Sequence, residues 1–255
     1  MATGVNRLPP AQGCMHILLA YVPSAESAPC LQRLYRQLPA AHAERINTFK
    51  QSHDRVLRLA AVHALCTGLR TCTGLSTMAS LAALRYAASG CPSLALEHWH
   101  LSFAYTHTMA VCALRFMQTQ APIVGVDVEN IPITGPLESF TKVFTPEERR
   151  AIAACADSPS DLTRRWTIKE AVLKALGTGF AVDPLRITTI GARWGQSFVC
   201  GFSAQSAGQQ PLYTCAVSST QSMFWQSIPL TPASWLTLAS DIPWKESRIS
   251  CLRLA

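Results

Sequence analysis

The chain is poor in charge, and the charges it has are scattered. Only 15% of its 255 residues are Asp, Glu, Lys or Arg, while 49% are hydrophobic. That balance excludes a highly charged disordered tail and indicates a globular protein with a sizeable core. There is no apolar run of the roughly 18–20 residues that a membrane span needs. The segment "MHILLAYV" (Met15 to Val22) has the length of a buried strand. The opening "MATGVNRLPPAQGC" lacks the basic-then-apolar layout of a secretory leader. Ten cysteines are present but none forms a Cys-x-x-Cys pair, and none suggests a zinc set. Dispersed thiols without a leader fit a reducing cytosol, so a cytoplasmic location is expected. There is also no run of Lys and Arg to signal a nucleic-acid groove, and no short repeat to signal a solenoid.

Against these absences stands a formal net charge of +7. It points to an anionic partner: a nucleic acid, a phosphorylated cofactor or an acidic protein. The order of elements is α/β. In the first half, the strand "HILLAYV" precedes an amphipathic stretch from Ala25 to Leu38. One long helix is then expected over "AERINTFKQSHDRVLRLAAVHALCTGLR". The segment "TGLSTMASLAALRYAASGCPSLALEH" reads as loose and turn-rich. "HWHLSFAYTHTMAVCALRF" alternates as a hairpin, with "MAVCALRF" as a central strand. A polar break, "MQTQAP", separates this from a second half with the strand "IVGVDVENI" and two helices. Strand-like runs near "QSFVCGF" and "LYTCAVS" complete it. Two similar halves, residues 1–120 and 121–255, are expected.

Three groups of side chains could carry chemistry. In "VGVDVEN", strand alternation puts Val124, Val126 and Val128 on one face and Gly125, Asp127 and Glu129 on the other. Two carboxylates about 6.6 Å apart repel each other. The strand is either a half-exposed edge with a solvated face, or the seat of a hard divalent cation. In "RRWTIKEAVLKALGTGF", Ile168, Val172, Ala175 and Leu176 form a core stripe. Trp166, Lys169, Glu170, Leu173, Lys174 and Gly177 share the neighbouring one. Glu170 and Lys174 at i,i+4 are a surface ion pair or, with Trp166 beside them, the wall of a cleft. Between the two lies "FTPEERRAI", a helix start: Thr145 as N-cap, Pro146 in the first turn and Glu148 closing a capping box. His107, between Thr106 and Thr108, is an ordinary hydrogen-bonded histidine or a phosphate ligand. Arg45, Arg55 and Arg58 are a solvated face or a fork for phosphate groups. His98 and His100 share a strand face but have no third metal ligand.

"GVDVE" followed by "WTIKEAVLKALG" resembles the paired signature of the 4′-phosphopantetheinyl transferases, G-[VI]-D-x-E and W-x-x-K-E-[AS]-x-x-K-x-x-G. Gly125, Asp127, Glu129, Trp166, Lys169, Glu170, Ala171, Lys174 and Gly177 fill every position. Length and layout resemble the longer, monomeric, surfactin-synthetase-activating type, built from two pseudo-symmetric α/β (α+β) subdomains. The resemblance implies transfer of the phosphopantetheine arm of coenzyme A to a serine of an apo acyl or peptidyl carrier protein. The carriers would belong to peptide or polyketide synthases, and 3′,5′-ADP would be released. It implies Mg²⁺ held by Asp127, Glu129 and Glu170. The serine proton would go to a carboxylate, Glu170 first, or to a metal-bound water. Lys174 would meet the phosphates, with Lys169 assisting. Thr106 and His107 would meet the 3′-phosphate, and Arg45 and Arg58 would supply further coenzyme A contacts.

The chain departs from the family at two places. The Gly-Lys-Pro turn reads Gly90–Cys91–Pro92, without the lysine, and the usual F-N-x-S-H-S reads "FAYTHT". Weaker coenzyme A affinity, or a substitute basic group, follows. Two other readings stand beside the transferase: a degenerate relative that binds coenzyme A without transfer, and a basic nucleic-acid-binding protein. Neither a membrane nor a nucleic acid is an expected partner of the enzyme.

Overall fold

The computed structural model describes residues 14–22, 29–116, 124–131, 142–187, 189, 213–216, 222–231, 234–240 and 246–252. Its elements are mixed helices and largely antiparallel sheet, as the α/β reading expects. The strand β1 (Cys14–Tyr21) is apolar through Ile17, Leu18, Leu19 and Ala20, all buried. Such a continuous run suits a strand covered on both faces. β5 (Met109–Phe116) pairs with it antiparallel, Ile17 opposite Ala113, and β4 (Trp99–Tyr105) flanks β5. On the far side of β1 lies β10 (Glu246–Leu252), parallel to it, which makes the sheet order β10-β1-β5-β4. "MAVCALRF" is therefore an inner strand, as its composition predicts.

Four helices cover this sheet. The expected long helix is two: α2 (Ala40–Asn47) and α3 (Ser52–Thr73). No Gly or Pro marks the break. Instead, the Thr48 hydroxyl donates to Arg45 O at 2.7 Å and Phe49 N to Ile46 O at 3.2 Å, which tightens the last turn and ends it. α1 (Pro29–Gln37) packs Leu31 and Leu34 into the core beside Leu65 and Leu69 of α3. The stretch expected to be loose holds α4 (Thr77–Ala83), capped by the Ser76 hydroxyl. It also holds a short hairpin of β2 (Leu84–Tyr86) and β3 (Pro92–Leu94).

A second sheet has the order β6-β9-β8-β7, from β6 (Val124–Asn130), β7 (Tyr213–Ala216), β8 (Ser222–Thr231) and β9 (Ser234–Ser240). The sequence reading finds β7 but not β8, β9 or β10. "MQTQAP" and "QSFVCGF" lie outside the described residues. Two helices belong with this sheet: α5 (Pro146–Ala153) and α6 (Ser158–Leu176). The two sheets meet where the Ser102 hydroxyl of β4 accepts from Val126 N of β6, at 3.1 Å. Among the described residues, no helix is long and apolar enough to cross a membrane.

Candidate functional site

The site begins with a backbone-to-backbone approach. A Cβ added to Gly125 would fall 1.9 Å from Ala171 O and 2.6 Å from Ala175 N, inside any real contact distance. Only glycine lets α6 lie this close on β6. Two and four residues on, strand alternation brings Asp127 and Glu129 to the helix-facing side, where Glu170 and Lys174 stand. Lys174 Nζ donates to Asp127 Oδ1 at 2.6 Å. Trp166 Nε1 donates to Glu129 Oε1 at 3.3 Å. At the end of α6, Gly177 takes the left-handed conformation (φ 67°) that stops the helix. The chain then folds Phe180 over Trp166, ring centroids 6.2 Å apart and nearly parallel.

The expectation of a solvated edge face fails here. Asp127 is 4% exposed, and Glu129 and Glu170 are only partly exposed. Burial pushes Glu129 up to about 8, helped by the Asp127 charge, against which Lys174 and the Trp166 hydrogen bond act. Burial and then Asp127 push Glu170 up to about 7. Asp127 is raised by burial too, with Lys174 opposing. Three carboxylates share one ammonium, and Asp127 Oδ2, buried, has no hydrogen-bond partner among the described residues. Hard oxygen donors with surplus negative charge and an orphaned buried oxygen suit a hard divalent cation. Among the described residues, however, no three His, Cys, Asp or Glu side chains are gathered as a ready-made metal site. The Lys174 ammonium is what stands against Asp127.

Lys174 also lines a cleft of about 540 Å³. Leu173 and residues 177–180 line it on the same side, and the facing walls come from the first half: Arg45 of α2, Arg58 of α3, and the Gly90–Cys91–Pro92 turn. Each arginine lies on an aromatic ring. Arg58 is 3.6 Å from the centre of Tyr105 and Arg45 is 4.1 Å from that of Tyr86. Arg45 also donates to Gly90 O at 3.2 Å, so its guanidinium reaches the turn that lacks a lysine. Arg58 Nε is buried without a hydrogen-bond partner among the described residues. Tyr86, Tyr105 and Phe49, which position these cations, carry no local sequence signal; their role arises only from tertiary packing.

The structure thus gathers Asp127, Glu129, Glu170 and Lys174, and brings Arg45 and Arg58 into the cleft that Lys174 closes. It does not bring Lys169 there. Lys169 is fully buried on the other side of α6, its ammonium 2.8 Å from Glu148 Oε2 and donating to Pro184 O and Ile187 O. Helical spacing assigns it to the Trp166 stripe, but that side of α6 is covered by α5 and by the segment after it. Glu148 completes the expected capping box with Thr145 and also accepts from Thr189, so its role extends beyond the helix start. Thr106 and His107 form the β4–β5 turn and do not line the cleft. Thr106 is buried, its hydroxyl accepting from Thr108 N, while His107 is exposed and its carbonyl contacts the His53 ring. Arg55 points elsewhere as well.

Residues 123–218 match the sequence model of the 4′-phosphopantetheinyl transferase superfamily. The chain is 32% identical over 83 residues to the 4′-phosphopantetheinyl transferase HetI of Nostoc sp., covering 31% of this chain and 33% of that protein. It is 43% identical over 68 residues to the L-aminoadipate-semialdehyde dehydrogenase-phosphopantetheinyl transferase of Schizosaccharomyces pombe, 25% of this chain and 26% of that one. It is 39% identical over 69 residues to the holo-[acyl-carrier-protein] synthase of Mycobacterium leprae, 24% and 53% respectively. The matches span about half or less of these relatives.

Proposed function

We propose that the protein transfers the 4′-phosphopantetheine arm of coenzyme A to a serine of an apo carrier protein. One observation carries this reading. Lys174 belongs at once to a cleft lined by two arginines and to a cluster of three carboxylates, Asp127 buried and Glu129 and Glu170 partly so, with its ammonium 2.6 Å from Asp127. A cationic cleft ending at clustered carboxylates suits a pyrophosphate substrate, and a simple surface ion pair would be neither buried nor so placed.

In this reading Arg45 and Arg58 hold the nucleotide phosphates of coenzyme A and Lys174 meets the pyrophosphate, while Thr106 and His107, outside the cleft, take no direct part. Asp127, Glu129 and Glu170 would hold Mg²⁺, which when bound supplies a counter-charge for the pyrophosphate. The serine hydroxyl oxygen bonds to the β-phosphorus as the bond to the bridging oxygen breaks, releasing 3′,5′-ADP. The serine proton is assigned to Glu170, the carboxylate of α6 that stands beside Asp127 in the cluster. Lys169 takes no part in coenzyme A contacts and acts through the packing of α6. Acyl or peptidyl carriers of polyketide or peptide synthases are the proposed acceptors. The enzyme is proposed to act as a cytoplasmic monomer, its halves related as subdomains of one enzyme.

The test is direct. The protein is incubated with coenzyme A, Mg²⁺ and an apo carrier protein, and the carrier is weighed by mass spectrometry. The arm should appear on the carrier. No mass gain across several carriers would refute the reading. Retention of coenzyme A without transfer would favour the degenerate alternative.

A further inference from the structure

Arg45, Arg55 and Arg58 do not act as one group. Arg45 and Arg58 turn into the cleft, whereas Arg55 lines a second depression of about 380 Å³ between α1, α2 and α3. Its opposite wall is the outer face of α1, where Tyr35 and Arg36 stand. The floor is apolar: Ile46 and Leu59 are 5% and 6% exposed. The Tyr35 hydroxyl and the Asn47 amide satisfy each other across the rim, at about 3.0 Å. No carboxylate lines this groove among the described residues. Neither the Arg36 nor the Arg55 guanidinium has an ion-pair partner among them.

Two cations flanking an apolar floor, with no counter-charge of their own, define a complement: carboxylates on either side of an apolar side chain. A nucleic-acid strand fits less well, since its phosphates continue in a line and call for a longer basic stripe. A small inorganic anion would leave the Ile46–Leu59 floor unused. We propose that the groove between α1, α2 and α3 docks an acidic amphipathic segment of a protein partner. Its carboxylates meet Arg36 and Arg55, and its apolar side chain covers Ile46 and Leu59. Ile46 lines both the groove and the cleft, so the segment would seat beside the cleft, whereas Arg45 lines the cleft alone. This docking does not depend on the transfer reaction.

The experiment uses the full chain and fluorescence anisotropy. The probe is a labelled helical peptide that presents a Leu flanked on both sides by Glu along one face. An oligoglutamate of the same charge and a short DNA duplex serve as comparisons. Saturable peptide binding is expected, weaker for the oligoglutamate and the duplex. Arg36→Glu/Arg55→Glu should weaken it by about tenfold or more. The reversal Arg149→Glu/Arg150→Glu, on the exposed side of α5, controls for net charge and should weaken it far less. Equal loss in the two double variants overturns the proposal. So does equal binding of the oligoglutamate or the duplex, or the absence of saturable binding. Arg36→Gln/Arg55→Gln, with far-UV circular dichroism matching the parent, repeats the measurement without introducing new charge.

Discussion

Gly125 on β6 and Ala171 on α6 touch backbone to backbone, with no room for even a methyl group between them. That contact sets the distance between the strand bearing Asp127 and Glu129 and the helix bearing Glu170 and Lys174. Gly125→Ala is therefore expected to destabilise the fold by about 3 kcal/mol or more, because the clash is with backbone that cannot swing aside. A urea titration read by tryptophan fluorescence measures it. A midpoint equal to that of the parent would mean that the approach is looser than described.

The buried pair of Lys169 and Glu148 gives a second expectation. Lys169→Met alone leaves a buried carboxylate without its partner and should cost about 3–5 kcal/mol. The double change Lys169→Met/Glu148→Leu should recover part of that loss, since no unpaired charge remains. The recovery is incomplete, because Glu148 also caps α5 and accepts from Thr189. Denaturant midpoints of the three variants decide it.

Different parts of the chain are legible in the sequence to different degrees. The strand around Asp127 and the stop of α6 at Gly177 are readable because alternation and capping are local. Lys169 is not readable in the same way. Spacing tells which residues share a stripe of a helix, but not how much of the helix its neighbours cover. Ile187 and Glu148, which bury Lys169, are distant in sequence. The break between α2 and α3 is hidden for a related reason: Thr48 ends the helix through a hydroxyl bond that many helical threonines also make. The pairing of Arg58 with Tyr105 and of Arg45 with Tyr86 has no sequence period at all.

Glu129 and Glu170 make stability depend on pH. Both have native values, about 8 and about 7, above the ordinary 4.5. An acid raised on folding binds its proton more tightly in the native state. Its stabilising effect is complete below about 4.5 and is lost as pH rises through about 7 and 8. Melting temperature should fall over that range. Glu129→Gln/Glu170→Gln should flatten the decline, and Mg²⁺ should offset it in the parent only. A parent profile as flat as the variant's would contradict the burial of these groups.

Transfer kinetics separate the cleft from the carboxylates. Arg58→Ala should raise KM for coenzyme A by about tenfold with a smaller change in kcat, as a charge-assisted phosphate contact is lost. Glu170→Gln should lower kcat by a factor on the order of 100 or more with KM little altered. Steady-state assays with coenzyme A as the varied substrate distinguish the two patterns.

Cys91→Lys probes the turn without a lysine. Arg45 already reaches Gly90 O, so its guanidinium occupies the approach that an added lysine would use. The change should therefore improve KM for coenzyme A by less than about twofold, while Arg45→Ala worsens it by about tenfold. A large gain from Cys91→Lys would show that Arg45 does not compensate.

The parallel pairing of β10 with β1 sets Ile17 opposite Ile249, residues from nearly opposite ends of the sequence. Contacts of such long range close late, because most of the chain's loop entropy must be lost before they form. On the ribosome, β1 emerges well before β10, and its outer edge finds its strand only once β10 has been made. Until then the apolar "ILLAYV" segment offers unpaired backbone to any neighbouring chain. A chain interrupted within β8 or β9 would keep every residue of the carboxylate cluster and the cleft, and still leave that edge of β1 open.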